Sequence, residues 1–104
     1  MSFTTIDRAE APLYRSKLFL PGSQVKFFEK AAKGPADVVC LDLEDAVAPA
    51  DKVQARKNVV QALNEVDFGD KIVTVRVNGL DTHLAYRDVI DLVELGGERL
   101  DAIM

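Results

Sequence analysis

The spacing of apolar positions alternates between short runs and longer stretches with helical period. Residues 1–14 mix polar and apolar positions without a period and read as an N-terminal arm, leaving 15–104 as one domain. Lys17-Leu18-Phe19-Leu20 is a short apolar run stopped by Pro21-Gly22-Ser23, which predicts a strand and a turn. Ser23 is placed to cap a helix in which Val25, Phe28, Ala31 and Ala32 recur at helical spacing, and Gly34-Pro35 ends it. The stretch from Asp37 to Asp45 (DVVCLDLED) is the clearest strand, with the near-continuous apolar character of a parallel strand covered on both faces. A turn containing Pro49 leads to a second helix whose Ala55, Val59, Ala62, Leu63 and Val66 form one apolar stripe. Lys71 to Asn78 is a third strand, ended by Gly79. Asp81 is placed to cap a third helix with Ala85, Val89, Leu92 and Val93 inside and Gly96-Gly97 at its close. Leu100 to Met104 reads as the start of a fourth strand.

The order β-α-β-α-β-α-β, with crossovers long enough only for parallel pairing, defines an α/β protein. A small doubly wound sheet and the first part of a (β/α)8 TIM barrel both fit that order. A complete barrel needs about 250 residues, so three βα units plus the start of strand 4 make roughly two-fifths of one. Side-chain alternation separates the two. Val39, Leu41 and Leu43 share one face of the second strand, and Cys40, Asp42 and Glu44 the other. On the third, Val73, Val75 and Val77 oppose Thr74, Arg76 and Asn78. Each strand has one apolar face for helices and one that turns polar toward its C-terminal end. A doubly wound sheet would enclose Asp42 and Arg76 under helices, so the pattern favours a barrel interior opening into a polar mouth.

Composition narrows the classes. With 48% apolar residues in a chain of 104, disorder is excluded. The apolar runs are too short to span a bilayer, and residues 1–17 lack the apolar segment of a leader, so no membrane is expected and the expected address is the cytoplasm. A net charge of −4, from 13 basic and 17 acidic side chains, counts against nucleic acid as a partner. The single Cys40 excludes an internal disulfide and is most simply a small core residue.

In either architecture the chemistry belongs at the C-terminal ends of the strands. Arg76 fits two roles there: an ion pair with Asp42 or Glu44 on the neighbouring strand, or a clamp for a substrate carboxylate or phosphate. Glu44 and Asp45 are candidate neighbours of a metal or proton-transfer groups, or else acids complementing the dipole of the second helix. The Pro21-Gly22-Ser23 turn sets a helix N-terminus near the strand mouth as an anion site. Lys26, Lys30 and Lys33 form a basic stripe suited to solvent or to the phosphates of a large anionic cofactor. His83, in the first turn of the third helix, has no Ser or Cys partner for a triad and reads as a surface residue.

Arg15-Ser-Lys-Leu-Phe-Leu-Pro-Gly-Ser23, the segment Ala36 to Val47 (ADVVCLDLEDAV) and Val75-Arg-Val-Asn-Gly79 together resemble the citrate lyase β-subunit-like branch of the HpcH/HpaI aldolase family. Asn78-Gly-Leu-Asp-Thr82, Tyr86-Arg-Asp88 and Arg99 to Met104 (RLDAIM) resemble its malyl-CoA/β-methylmalyl-CoA lyase group. The resemblance runs in register from residue 15 to the last. It implies a TIM barrel that cleaves a 3-hydroxyacyl-CoA into glyoxylate and acetyl-CoA or propionyl-CoA, with Mg²⁺ as cofactor and coenzyme A as part of the substrate. It also implies a homo-oligomer at full length.

The resemblance makes Arg76 the catalytic arginine that binds the substrate carboxylate and thioester region. It places Phe19 in the lining of the substrate site and makes Lys30 a contact to CoA. Glu44 and Asp45 become the acidic pair near the metal, without ligating it. Gln24 stands where close relatives often carry an arginine, which weakens or reassigns one CoA phosphate contact. Leu20 stands where they can carry glycine. The Glu and Asp that ligate the metal are expected beyond residue 104, so the 104-residue chain alone is expected to be inactive. A citramalyl-CoA or citryl-CoA lyase and a malyl-CoA thioesterase share the fold and remain alternatives. Outside that class stand a receiver-like signalling module and a non-catalytic binding module. The receiver wants an acidic pair ending the first strand, where this chain has Leu20-Pro21-Gly22.

Overall fold

The computed structural model describes residues 6–8 and 10–104. Of the predicted arm, residues 1–5 and 9 lie outside the described residues, and the rest form neither helix nor strand. Four strands, β1 (Lys17–Pro21), β2 (Val38–Asp42), β3 (Ile72–Arg76) and β4 (Ala102–Ile103), alternate with the helices α1 (Phe28–Lys33), α2 (Lys52–Glu65) and α3 (Ala85–Gly96). Every strand pair is parallel and the sheet order is β1-β2-β3-β4.

That order decides the architecture. A doubly wound sheet reverses its direction of growth at a switch point, which leaves an early strand in the middle. Here each strand joins the same edge as the one before, the order of neighbours in a (β/α)8 barrel. With right-handed crossovers, growth in one direction puts every helix on one face. The core lies between that face and the helices: Leu20, Val39, Leu41, Val73 and Val75 pack with Phe28 of α1, Val59 and Leu63 of α2 and Leu92 of α3. The opposite face carries Phe19, Cys40 and Thr74 in one row, with Pro21, Asp42 and Arg76 in the row above. Cys40 is fully buried in this sheet, as the core reading of it requires.

Local corrections follow from hydrogen bonds that the pattern did not contain. The second strand stops at Asp42, because its carboxylate accepts the N–H groups of Glu44 and Ala46 and turns the chain away. Glu44 and Asp45 are therefore loop residues. Ser23 makes no capping bond. The Pro21 and Gln24 carbonyls instead accept the Gln24 and Phe27 N–H groups, forming a 3₁₀ turn over Val25–Phe27, and the α-helix begins only at Phe28. The helix N-terminus expected beside the Pro21-Gly22-Ser23 turn is thus absent from that position. Asp81 does not cap α3 either. Thr82 closes a turn on the Gly79 carbonyl through its N–H (3.0 Å) and hydroxyl (2.7 Å), and the helix starts three residues later. His83 consequently sits in the turn before α3, exposed. Val93, expected inside, is exposed, and Asp88 takes a place in the inner stripe. Among the described residues no helix is long and apolar enough to cross a membrane.

Candidate functional site

The polar face of the sheet is richest where β2 and β3 end. Asp42 and Arg76 are register partners, so their side chains meet on the same face. Arg76 donates from Nε to Asp42 Oδ1 at 2.9 Å and from Nη2 to Oδ2 at 2.5 Å, a two-pronged carboxylate–guanidinium pair. Asp42 is fully buried and also accepts the Glu44 N–H at 2.8 Å and the Ala46 N–H at 3.1 Å. Burial by itself would push its carboxyl up. The Arg76 hydrogen bonds, the two backbone N–H groups and the guanidinium charge together outweigh it and hold Asp42 below the usual carboxylate range. Arg76 is raised above its already high value, chiefly by the hydrogen bond to Asp42, against an opposing effect of burial and with help from the charges of Asp42, Asp45 and Glu44.

Of the two readings of Arg76, the ion pair with a carboxylate of the neighbouring strand is the one this geometry shows. The ion pair with Asp42 is present, and it uses two of the five guanidinium N–H donors. Glu44 Oε1 and Asp45 Oδ2 stand 3.7 Å from Nε and Nη1, near enough to feel the charge and too far for hydrogen bonds. The Phe19 ring lies under the guanidinium, 4.9 Å from centroid to Cζ, with Lys17 Nζ 5.1 Å from the same ring. A cation held on one edge by Asp42 and on one face by Phe19 has little freedom to turn, and Arg76 borders an open pocket of about 260 Å³. Glu44, Val77, Asn78, Gly79, Leu80 and Met104 complete that pocket.

Phe19, Glu44, Asp45 and Arg76 thus come together. Gln24 lies on the adjoining loop after β1, exposed. Lys30 projects from α1 in the helical layer and joins the cluster through no hydrogen bond or ion pair. Among the described residues no three His, Cys, Asp or Glu side chains converge as a metal site. Asp42, the innermost carboxylate, has both oxygens engaged. These residues do not by themselves fit the oxygen cage that Mg²⁺ requires.

Sequence reasoning missed the side chains that hold the site. Lys52 donates to the Leu43 and Glu44 carbonyls at 3.0 and 2.8 Å. Arg56 and Asp88 form a buried pair at 2.7 Å that also reaches Asn78. The available signal was charge at inner positions: Asp88 falls three residues after Ala85 and four before Leu92.

A family model described as HpcH/HpaI aldolase/citrate lyase matches residues 15–102. The L-malyl-CoA/beta-methylmalyl-CoA lyase of Rhodobacter capsulatus is 55% identical over all 104 residues, which cover 33% of its length. The (3S)-malyl-CoA thioesterase of Cereibacter sphaeroides is 41% identical over 95 residues, covering 91% of this chain and 32% of that protein. A crystal structure of CitE from Mycobacterium tuberculosis, in complex with magnesium, acetoacetate and coenzyme A, superposes with a TM-score of 0.61 at 34% identity, over 78% of this chain and 30% of that one. The chain spans about a third of the length of the curated relatives it matches.

Proposed function

The chain belongs to the HpcH/HpaI aldolase/citrate lyase family, and from that premise we propose that it works within a CoA-ester carbon–carbon lyase of the relatives' length. The reaction is reversible cleavage of L-malyl-CoA, or its β-methyl homologue, into glyoxylate and acetyl-CoA or propionyl-CoA. The observation that carries this reading is the fixed guanidinium of Arg76 at the C-terminal rim of a parallel sheet, with donors left over. In such a cleavage the 3-hydroxyl proton leaves, the C–O bond becomes the aldehyde of glyoxylate, and the electron pair of the breaking C–C bond passes into the thioester as an enolate. Charge appears on oxygen where a preset cation already stands, an interaction stronger in the transition state than in the ground state. The planar fork equally suits the carboxylate of the departing glyoxylate.

Phe19 stabilises the arginine's orientation from below. Gln24 and Lys30 are proposed for the CoA portion and Glu44 and Asp45 for the neighbourhood of the metal. Magnesium is proposed for the whole enzyme, supported by its presence in the mycobacterial neighbour, with ligands outside the described residues. A cytoplasmic homo-oligomer completes the proposal, for fractionation and sedimentation of the whole protein to check.

In a protein of the relatives' length carrying this chain, Arg76→Ala should lower kcat about 10²- to 10³-fold, the usual effect of losing one oxyanion donor. Arg76→Lys, which keeps charge without the fork, should recover only part of it. Full turnover by Arg76→Ala, or turnover indifferent to chelation of divalent metal, would sink the mechanism. The thioesterase relative supports a second reading, hydrolysis to malate and free CoA. A thiol reagent separates the two, because cleavage of the carbon–carbon bond leaves the thioester intact.

A further inference from the structure

The chemistry above makes no use of the buried charges in the helical layer. Asp88 on α3 is fully buried, and all of its partners are buried too. Its Oδ1 accepts Arg56 Nε at 2.7 Å, and its Oδ2 accepts the Asn78 side-chain Nδ2 at 2.7 Å and the Asn78 backbone N–H at 3.1 Å. Apolar side chains could join α2 to α3 at least as well as a buried ion pair, so helix packing alone does not explain this carboxylate. Its place in the fold does. Asn78 lies two residues beyond Arg76, and residues 77–80 are the wall of the pocket beside the guanidinium. Arg76 is held by Asp42, from a different element. Two carboxylates therefore fix two parts of one site: Asp42 the cation and Asp88 the wall.

We propose that Asp88, clamped by Arg56, is a positioning residue that sets the 77–80 wall through Asn78 and so governs how tightly the carboxylate end of the substrate is held beside Arg76. The proposal rests on the lyase reading and predicts a division of labour. Disturbing Asp88 or Asn78 loosens the wall while the cation stays aimed. Binding weakens, and the bond-breaking step keeps its rate.

The test uses a protein of the relatives' length that carries this chain. Asn78→Ala removes the side-chain bond of the tether, keeps the backbone N–H bond to Asp88, and leaves the Arg56–Asp88 pair intact. Its KM for malyl-CoA should rise about five- to thirtyfold, the ratio that one buried hydrogen bond represents. Its kcat should stay within about twofold of the wild-type value. Asp88→Asn keeps the size, loses the charge and should show the same KM shift with a lower Tm. A loss of kcat at unchanged KM, the mark of fewer folded molecules, would overturn the proposal, as would no change in either. Hydrogen exchange over residues 77–82 reads the wall without reference to any reaction. It should quicken in Asn78→Ala, and unchanged exchange there overturns the clamp even if the enzyme proves to be a thioesterase. Failure of the lyase reading shows separately, in the products released by the wild type.

Discussion

Asp42 commits both oxygens twice over, to the guanidinium of Arg76 and to the N–H groups of Glu44 and Ala46. Replacing it by Asn leaves Arg76 without its counter-charge and offers an NH₂ where a donor already points. Loss of one partner of a fully buried pair costs about 3–5 kcal/mol, and the partial exposure of Arg76 brings the expected cost of Asp42→Asn down to about 2–3 kcal/mol. The same residue sets a pH dependence. Its carboxyl is held below the ordinary range in the folded protein, so the unfolded chain binds more protons at low pH. The stabilisation is complete above about pH 4, the ordinary Asp value, and drains away as pH falls through the depressed folded value. Asp37 adds to the same acid limb, since hydrogen bonds from the Arg15 side chain and backbone hold it low as well. Melting temperatures between pH 5 and pH 2 should therefore fall less steeply in Asp42→Asn than in the wild type, and equal slopes would reject the assignment. The meeting of Asp42 and Arg76 was legible in the sequence, because period-two alternation on adjacent parallel strands puts them on one face. The turn that engages the same carboxylate was not, since any of the next several N–H groups could have taken it.

Helix α2 does more than cover the sheet. Lys52 holds the carbonyls after β2, Arg56 reaches the end of β3 through Asp88, and Asn58 Nδ2 donates to the Gly22 carbonyl after β1 at 3.1 Å. One helix thus ties down the chain after three successive strands, at the end where Arg76 lies. Its apolar stripe was readable from spacing, but these polar ties run to backbone groups and loops whose positions no periodicity encodes. The mistaken caps have a related cause: Ser23 and Asp81 are good cap residues in isolation, yet Pro21 and Gly79 supply carbonyls that draw the chain into 3₁₀ and β-turns first. Gly22 shows how little slack the arrangement has. Its N–H donates to the Asp42 carbonyl at 2.7 Å, and a Cβ there would lie 2.9 Å from that oxygen and 3.1 Å from both Leu43 Cδ2 and Val59 Cγ2. Gly22→Ala must therefore spread β1, β2 and α2 apart, at a cost of roughly 1–3 kcal/mol. Thermal denaturation should show the loss, and an unshifted Tm would mean that the three elements are more loosely joined than these contacts require.

At the scale of the whole molecule, a parallel sheet normally has both faces covered, and here helices cover one. The other carries Phe19 at 41% exposure and Met104 at 56%, beside the charged group at Arg76. β1 and β4 each pair on one side only among the described residues, which leaves backbone donors and acceptors along two edges. A sheet that grows in one direction, as this one does, satisfies both needs by continuing until it closes. The sequence already disclosed this through the asymmetry of its strand faces. What it could not disclose was the strand order, because the same β-α succession also folds with a switch point. Residues 1–104 produced by themselves should meet the unmet needs by self-association. Sedimentation velocity should show concentration-dependent species larger than the monomer. Phe19→Glu, which charges the open face and leaves the edges untouched, should reduce the association without abolishing it. Complete dissociation by that variant would assign contact to the face alone, and a wild-type monomer with a cooperative melt would show that neither the face nor the edges need a partner.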